Sequence, residues 1–453
     1  MSIQSINPTD GTLIAQYRED DPSLVDAKLN RALNAYSTWK TSPLSKRTDL
    51  LRRVANRLRE ESEKHARLMT SEMGKPIGEA RSEIAKCAWV LEYYADHSAE
   101  FLAPKETQSD GSRTLIRFDP LGPILAVMPW NFPYWQVFRF AAPNLAAGNV
   151  GLLKHASNVS GCALAIEQLF IESGAPEGVF QTLLLPASAV SSLIDDDRIQ
   201  GVTLTGSEAA GRSVGAGAGS AIKPSVLELG GSDPLVVLSD GNPIEAAQAA
   251  LTSRMLNTGQ SCIAAKRLIV VPDHYDAFVT ALEEGIGQLR IGDPHDETNQ
   301  IGPLAKPEFV EELHNQVIET MSEGAKCLIG GSLVPGPGSF YPPTLLVDVT
   351  ESMTCFREET FGPVAVVIKA KNDDDALRLA SKTRFGLGAS LWTSPSRGIE
   401  LAAQIDSGHV AINGMVKSDP RLPFGGVKSS GYGRELSEYG ILPFVNIKTV
   451  WVK

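Results

Sequence analysis

No uncharged apolar run in this 453-residue sequence approaches the ~18 residues of a membrane-spanning helix. The segment from Met1 to Tyr17 also lacks the basic stretch and apolar core of a secretory leader. Together these absences point to a cytoplasmic protein with no membrane partner. Cysteine is scarce. Cys87, Cys162, Cys262, Cys327 and Cys355 are odd in number, scattered and never spaced as Cys-x-x-Cys, so neither a disulfide framework nor a zinc cluster is indicated and no metal is expected. Positive charge is in deficit: a net charge of −11 at pH 7 argues against nucleic acid or anionic lipid as a partner. Charge blocks and low-complexity tracts are absent, and 43% hydrophobic with 21% charged residues is an ordinary globular composition. A chain of this length is expected to form two or three domains. The Gly-x-Gly-x-x-Gly dinucleotide fingerprint is missing as well, so a nicotinamide reading cannot start from that motif.

Residues 22–40, 46–72 and 77–102 carry helical apolar spacing, as in Leu51, Val54 and Leu58, and predict an opening helical layer. From 124 onward short apolar runs at Ile124–Met128, Val150–Leu153, Val179–Leu185, Val202–Leu204 and Ser225–Leu229 alternate with helix-like segments, which predicts a parallel sheet. A second alternating stretch, with strands near Leu235–Leu238, Leu268–Val271, Val364–Lys369, Ala389–Thr393 and His409–Asn413, predicts a second α/β domain. Ser112–Phe118 and Val445–Val452 fit neither sheet. They read as edge strands able to pair with another subunit, or with each other.

Glu228 ends an apolar strand immediately before two glycines, where the backbone can approach a ligand closely. It reads either as a glutamate satisfied by backbone amides or as a general base raised toward operating pH by desolvation. Cys262 follows in Asn257-Thr-Gly-Gln-Ser-Cys262, a polar loop that displays one thiol. A lone cysteine is usually a small buried hydrophobe; one displayed on a loop is a candidate nucleophile, and with no histidine nearby Glu228 is its obvious base. Asn131 lies just past the first sheet strand, where open α/β sheets bind ligands. It is either a turn former between prolines or an amide donor for a developing oxyanion. Leu204-Thr-Gly206-Ser207 reads as strand, tight turn and helix start. Its amides and hydroxyl suit a pyrophosphate or an ordinary cap.

In order and spacing, Pro129-Trp-Asn-Phe-Pro133, Leu152-Leu-Lys154-His, Thr205-Gly-Ser207, Leu227-Glu-Leu-Gly-Gly231, Gly259-Gln-Ser-Cys262, Glu358-Glu-Thr-Phe-Gly-Pro363 and Pro423-Phe-Gly-Gly426 resemble the aldehyde dehydrogenase superfamily over essentially the whole chain. The sequence is most similar to the short bacterial succinate-semialdehyde dehydrogenases, through Trp130-Asn-Phe-Pro-Tyr-Trp-Gln-Val137, Leu227-Glu-Leu-Gly-Gly-Ser-Asp-Pro234 and Gly433-Arg-Glu-Leu-Ser437. Thr360, where the family commonly has an aliphatic residue, and Leu204, where it commonly has Phe, depart from its pattern.

The resemblance implies an α/β fold: a Rossmann-type cofactor domain (1–105 and 120–229), an α/β catalytic domain (230–442) and small β oligomerisation strands (106–119 and 443–453) of a homodimer or homotetramer. It implies oxidation of succinate semialdehyde to succinate, with Cys262 as nucleophile, Glu228 as base and Asn131 as oxyanion donor. Lys154 and Ser207 are carried to cofactor contacts with Trp130, Gly206 and Leu229, Glu359 to the nicotinamide ribose and Phe361 to the nicotinamide. Ser157 stands where NAD-preferring relatives commonly place a glutamate that would repel a 2′-phosphate, so NADP is expected to be preferred and NAD to bind more weakly. Trp135, Arg139 and Ser261 form the expected substrate set. If the segment after Pro133 is helical, Trp135 and Arg139 share one face that begins near Asn131, and Arg139 either grips a distal carboxylate or sits in an ion pair between helices. A second arginine usual in the group, six residues before the nucleophile, is Leu256 here with Arg254 nearby, so looser specificity is expected. The rival readings are an acylating relative that passes the thioester to coenzyme A, against which Glu228 argues, and a non-catalytic protein of the same fold.

Overall fold

Leu51, Val54 and Leu58 are fully buried on one face of the helix Leu44–Glu60, in a computed structural model that describes residues 2–453. That helix belongs to a layer with Pro22–Trp39, Ser62–Met73 and Ile77–Phe101. The expected helix over 46–72 is two helices, because the backbone leaves helical geometry at Glu61. The layer does not open the chain either: an antiparallel hairpin, Ser2–Ile6 with Leu13–Arg18, precedes it. Its second strand has no buried residue, so no apolar alternation announces it.

The predicted first sheet forms with six strands in the spatial order Gly431–Tyr432, Ser225–Glu228, Gly201–Thr205, Pro123–Met128, Val150–His155 and Phe180–Thr182. All neighbours are parallel except Gly431–Tyr432, which pairs antiparallel to Ser225–Glu228. The chain fills one side of Pro123–Met128 first and then the other, so the strand order reverses beside it. At such a reversal the connecting helices diverge and leave a crevice beyond the strands' C-terminal ends. Asn131, Gly206 and Leu229 all lie just past those ends.

A second sheet has seven strands, Lys326–Ile329, Thr344–Val347, Val364–Lys369, Ala265–Val270, Asp233–Val237, Gly388–Trp392 and His409–Ile412 in spatial order, with only the first pair antiparallel. Separate apolar clusters cover its two faces, as a parallel sheet requires. The first two strands escaped the sequence reading. Each is four residues long.

Val445–Val452 pairs antiparallel with Arg113–Pro120 along its whole length, and Lys105–Glu106 adds a third strand. The two unplaced segments therefore meet each other within one chain. Residues 420–442 depart from the expected boundary: Phe424, Leu436 and Ile441 pack into the core of the first sheet, and Gly431–Tyr432 extends that sheet. No helix of the described residues is long and apolar enough to cross a membrane.

Candidate active site

Cys262 is held at the end of a backbone that few sequences adopt. Asn257 (φ 55°), Thr258 (φ 54°) and Gly259 (φ 73°) are consecutive left-handed residues, costly for the two that carry a Cβ. Side-chain bonds stabilise the strain. Asn257 Nδ2 donates to the carbonyls of Asn131 (2.8 Å) and Gln260 (3.1 Å), its backbone N–H donates to Glu79 Oε2 (2.6 Å), and Thr258 Oγ1 accepts from the Gly302 N–H (3.0 Å). Lys266 Nζ then donates to the carbonyls of Ser261 and Cys262 at 2.8 Å each and ion-pairs with Glu359 at 2.9 Å. The thiol is half-buried. Burial pushes it up to about 11, opposed by the positive charges of Lys266 and Arg139.

Asn131 is buried, and its amide orientation is fixed from both sides. Gln136 Nε2 donates to its Oδ1 at 3.1 Å, and its own Nδ2 donates to the Gln260 carbonyl at 3.0 Å. That leaves the second Nδ2 hydrogen without a partner among the described residues, and Asn131 lines the same cleft as Cys262. Gln136 comes from the helix Trp135–Ala147 and was not singled out from sequence.

Glu228 ends its strand as expected, and its backbone carbonyl accepts from the Gly206 N–H at 3.0 Å, closing the turn before Ser207. Neither reading of its side chain is met in full. The carboxylate is 2% exposed, and neither oxygen has a hydrogen-bond partner among the described residues, so it is not satisfied by amides. Nor does it line either cavity at Cys262: Oε1 lies against Gly425, where a Cβ would come within 2.6 Å. Burial, and then the neighbouring Glu435, push its pKa well above the carboxylate range, while Arg139 and Arg434 oppose the shift. The carboxyl is unbonded among the described residues, and its burial disfavours the charged form.

A cleft of about 420 Å³ opens at the strand ends. Trp130, Gly206, Ser207, Leu229, Glu359 and Phe361 line it, together with Asn131 and Cys262. Ser207 caps the helix Glu208–Ser220 by accepting from the Ala210 N–H at 3.3 Å, so capping and a place beside a ligand coexist. Trp130 stacks on Phe309 (4.9 Å) and meets Phe361 edge-on (5.8 Å). Phe309 is a wall that sequence reading missed, since it reads as an ordinary helix position. Lys154 and Ser157 lie outside this lining, on and just after the adjoining strand Val150–His155. Ser157 is exposed, and no side chain caps the helical segments that follow it. Lys154 is buried, its pKa lowered by desolvation and then by Lys306, which leaves it favouring an anion.

On the other side of Cys262 lies a cavity of about 500 Å³, lined by Trp135 and Arg139 as the helical spacing predicts, and by Ser261. The expectation of a free guanidinium needs correction. Arg139 Nε is 2.5 Å from Glu435 Oε2, Nη2 donates to Thr205 Oγ1 at 3.3 Å, and the group stacks 4.7 Å from the Phe424 ring. The ion pair, weighed as the alternative, is present, although its partner comes from the C-terminal segment rather than from a helix. Arg254 does not replace the arginine absent at Leu256. It is fully buried and donates to the carbonyls of Val364 and Thr360 at 2.7 Å each, whereas Leu256 lines the cavity.

Both reactive groups are charged only above the usual pH range of their type: Glu228 is raised above the carboxylate range, and Cys262 reaches about 11. A nucleophile or a base gains reactivity by losing a proton, so a reaction carried by these two groups would speed up as pH rises. Iodoacetamide labelling of Cys262 in the free protein should accelerate by about tenfold per pH unit from 7 to 10 with no plateau. A plateau near pH 7 would show a thiolate already formed.

The profile of the aldehyde dehydrogenase family matches residues 1–450. A Synechocystis sp. protein named "Probable succinate-semialdehyde dehydrogenase", NADP(+) form, is 49% identical over 453 residues, covering 100% of both chains. Succinate-semialdehyde dehydrogenase 1, NADP(+) form, of Mycobacterium ulcerans is 46% identical over 457 residues, again covering 100% of each. The crystal structure of succinic semialdehyde dehydrogenase from Streptococcus pyogenes, in complex with NADP+ as the cofactor, superposes with a TM-score of 0.97 at 36% identity over 99% of each chain.

Proposed function

This chain belongs to the aldehyde dehydrogenase family, and we propose that it oxidises succinate semialdehyde to succinate with NADP as hydride acceptor. The observation that carries this reading is that Cys262 lines two cavities at once, a cleft built at a sheet reversal and a cation-bearing pocket behind it. The cleft's residues fit a dinucleotide: a turn at Gly206, the N-terminal amides of a 13-residue helix, Glu359 and aromatic walls. When bound, NADP supplies the hydride acceptor.

The Cys262 thiolate attacks the aldehyde carbon, and the oxyanion so formed takes the free Nδ2 hydrogen of Asn131 and the backbone N–H of Cys262. Loss of hydride leaves a thioester on Cys262. Glu228, once it has lost its own proton to solvent and turned away from Gly425 by rotation about its side-chain torsions, draws a proton from water, which hydrolyses the thioester and frees the thiol. Initial rates over aldehydes of equal length, with either dinucleotide, test the assignment. Succinate semialdehyde with NADP should give the highest kcat/KM; a preference for butanal would overturn it.

Ser157, exposed beside the buried Lys154, is read as the cofactor selector. Two like unit charges about 4 Å apart repel by roughly 4 kcal/mol before screening at an effective dielectric near 20, so a carboxylate at this position would disfavour a nearby 2′-phosphate. Ser157→Glu should therefore cut kcat/KM for NADP while that for NAD holds or rises. An unchanged ratio, or a wild type that already favours NAD, contradicts the role. The strand Val445–Val452 lies at the edge of its three-stranded sheet and offers its free side to a second copy, making a homodimer or larger oligomer. Light scattering at micromolar concentration should give at least twice the monomer mass; the monomer mass alone would exclude it.

A further inference from the structure

Four cations reach the cavity behind Cys262: Lys75, Lys86, Arg139 and Lys417. Their surroundings differ. Lys75 is ion-paired with Glu83 and Arg139 with Glu435, while Lys417 is exposed at the rim. Lys86, half-buried on the helix Ile77–Phe101, has no carboxylate partner among the described residues. Its Nζ donates to Ser418 Oγ at 2.6 Å and lies 4.2 Å from the centre of the Trp135 ring. The hydroxyl takes one of three ammonium donors, and the ring face supplies attraction but no countercharge. A cation withdrawn from water is normally paired, and here the missing partner is an anion that enters the cavity.

We infer that Lys86 is the principal carboxylate-binding residue of this cavity, holding the distal carboxylate of a short semialdehyde while its aldehyde carbon meets Cys262. This deepens the proposed oxidation of succinate semialdehyde and rests on it. Arg139 contributes positive charge to the same wall, but Glu435 already balances that charge, so an incoming carboxylate gains more at Lys86. The rest of the lining does not compete for an anion: Leu256, Ile263 and Phe424 offer no charge, and Glu79, Glu83 and Asp419 are acidic, which leaves a carboxylate to the cations.

The assignment also carries a pH signature. Burial, and then Arg139 on the facing helix, lower Lys86 to about 8 against the opposing pull of Cys87 and Glu83 on its own helix and Asp419 on the opposite loop. Above that pH the free ammonium loses its charge, so KM for a carboxylate-bearing aldehyde rises while KM for an uncharged one stays level.

The test is KM and kcat for succinate semialdehyde and butanal in wild type, Lys86→Met and Lys86→Arg, with calorimetric binding of succinate to each. Lys86→Met should raise KM for succinate semialdehyde about thirtyfold or more, leave butanal nearly unchanged and abolish succinate binding, while Lys86→Arg restores most of both. Should the Met variant fail to fold, the wild-type KM profile across pH 8 and the Arg variant decide. Equal effects on the two aldehydes, or a flat KM profile, overturn the role of Lys86. A wild type that binds succinate through Lys86 yet turns over butanal as well would instead overturn the substrate reading alone. A wild type that does not bind succinate overturns the inference.

Discussion

Cys262→Ala is expected to lose aldehyde oxidation entirely, a fall in kcat of at least about 10⁴-fold. The size of the effect follows from the surroundings of the thiol. Cys87, Cys162 and Cys355 are buried in packed cores, and half-buried Cys327 lies on an edge strand of the second sheet, so no other sulfur reaches the cleft. Folding should be spared, because Cys262 lies on a loop already held by Asn257, Thr258 and Lys266. Dinucleotide binding, followed by fluorescence, should survive the substitution. Normal turnover by the alanine variant would remove Cys262 from the chemistry.

Asn131→Ala should lower kcat by about 10²- to 10³-fold and change KM little, the pattern of a donor that acts on charge developing in the transition state. Gln136 fixes which end of the amide faces Cys262, so the donor is in place before substrate arrives. Asn131→Asp separates donation from packing, since an ionised aspartate fills the space but cannot donate. It should be at least as impaired as the alanine variant. Recovery of activity by aspartate, or a kcat within about threefold of wild type for alanine, would leave Asn131 as a loop tether only.

Much of this site was legible because it lies at strand ends. The short apolar runs place Asn131, Gly206 and Leu229 at one edge of one sheet, and the helical spacing of Trp135 and Arg139 puts both in one cavity. What escaped were partners remote in sequence. Glu435 lies at the far end of the chain from Arg139, and nothing local marks the two as a pair. Lys266 reads as a residue within an apolar strand, with no sign that it bridges Cys262 and Glu359. Lys86 belongs to a helix whose apolar stripe suggested structural packing alone, and it faces the substrate cavity only because Trp135 and Ser418 close around it. The boundary near 442 was missed because Leu436 and Ile441 choose their core by tertiary packing, which local periodicity does not report.

The most direct examination of the chemistry is a rapid-quench experiment on Glu228→Gln mixed with NADP and succinate semialdehyde, read by mass spectrometry of the Cys262 peptide. A neutral amide of nearly the same shape replaces a carboxyl whose charged form is disfavoured by burial, so folding should survive while the proton acceptor is lost. A burst of about one NADPH per subunit should appear, followed by slow turnover, with a succinyl thioester accumulated on Cys262. Wild-type steady turnover without a burst, or an acyl group on any residue other than Cys262, would contradict the account.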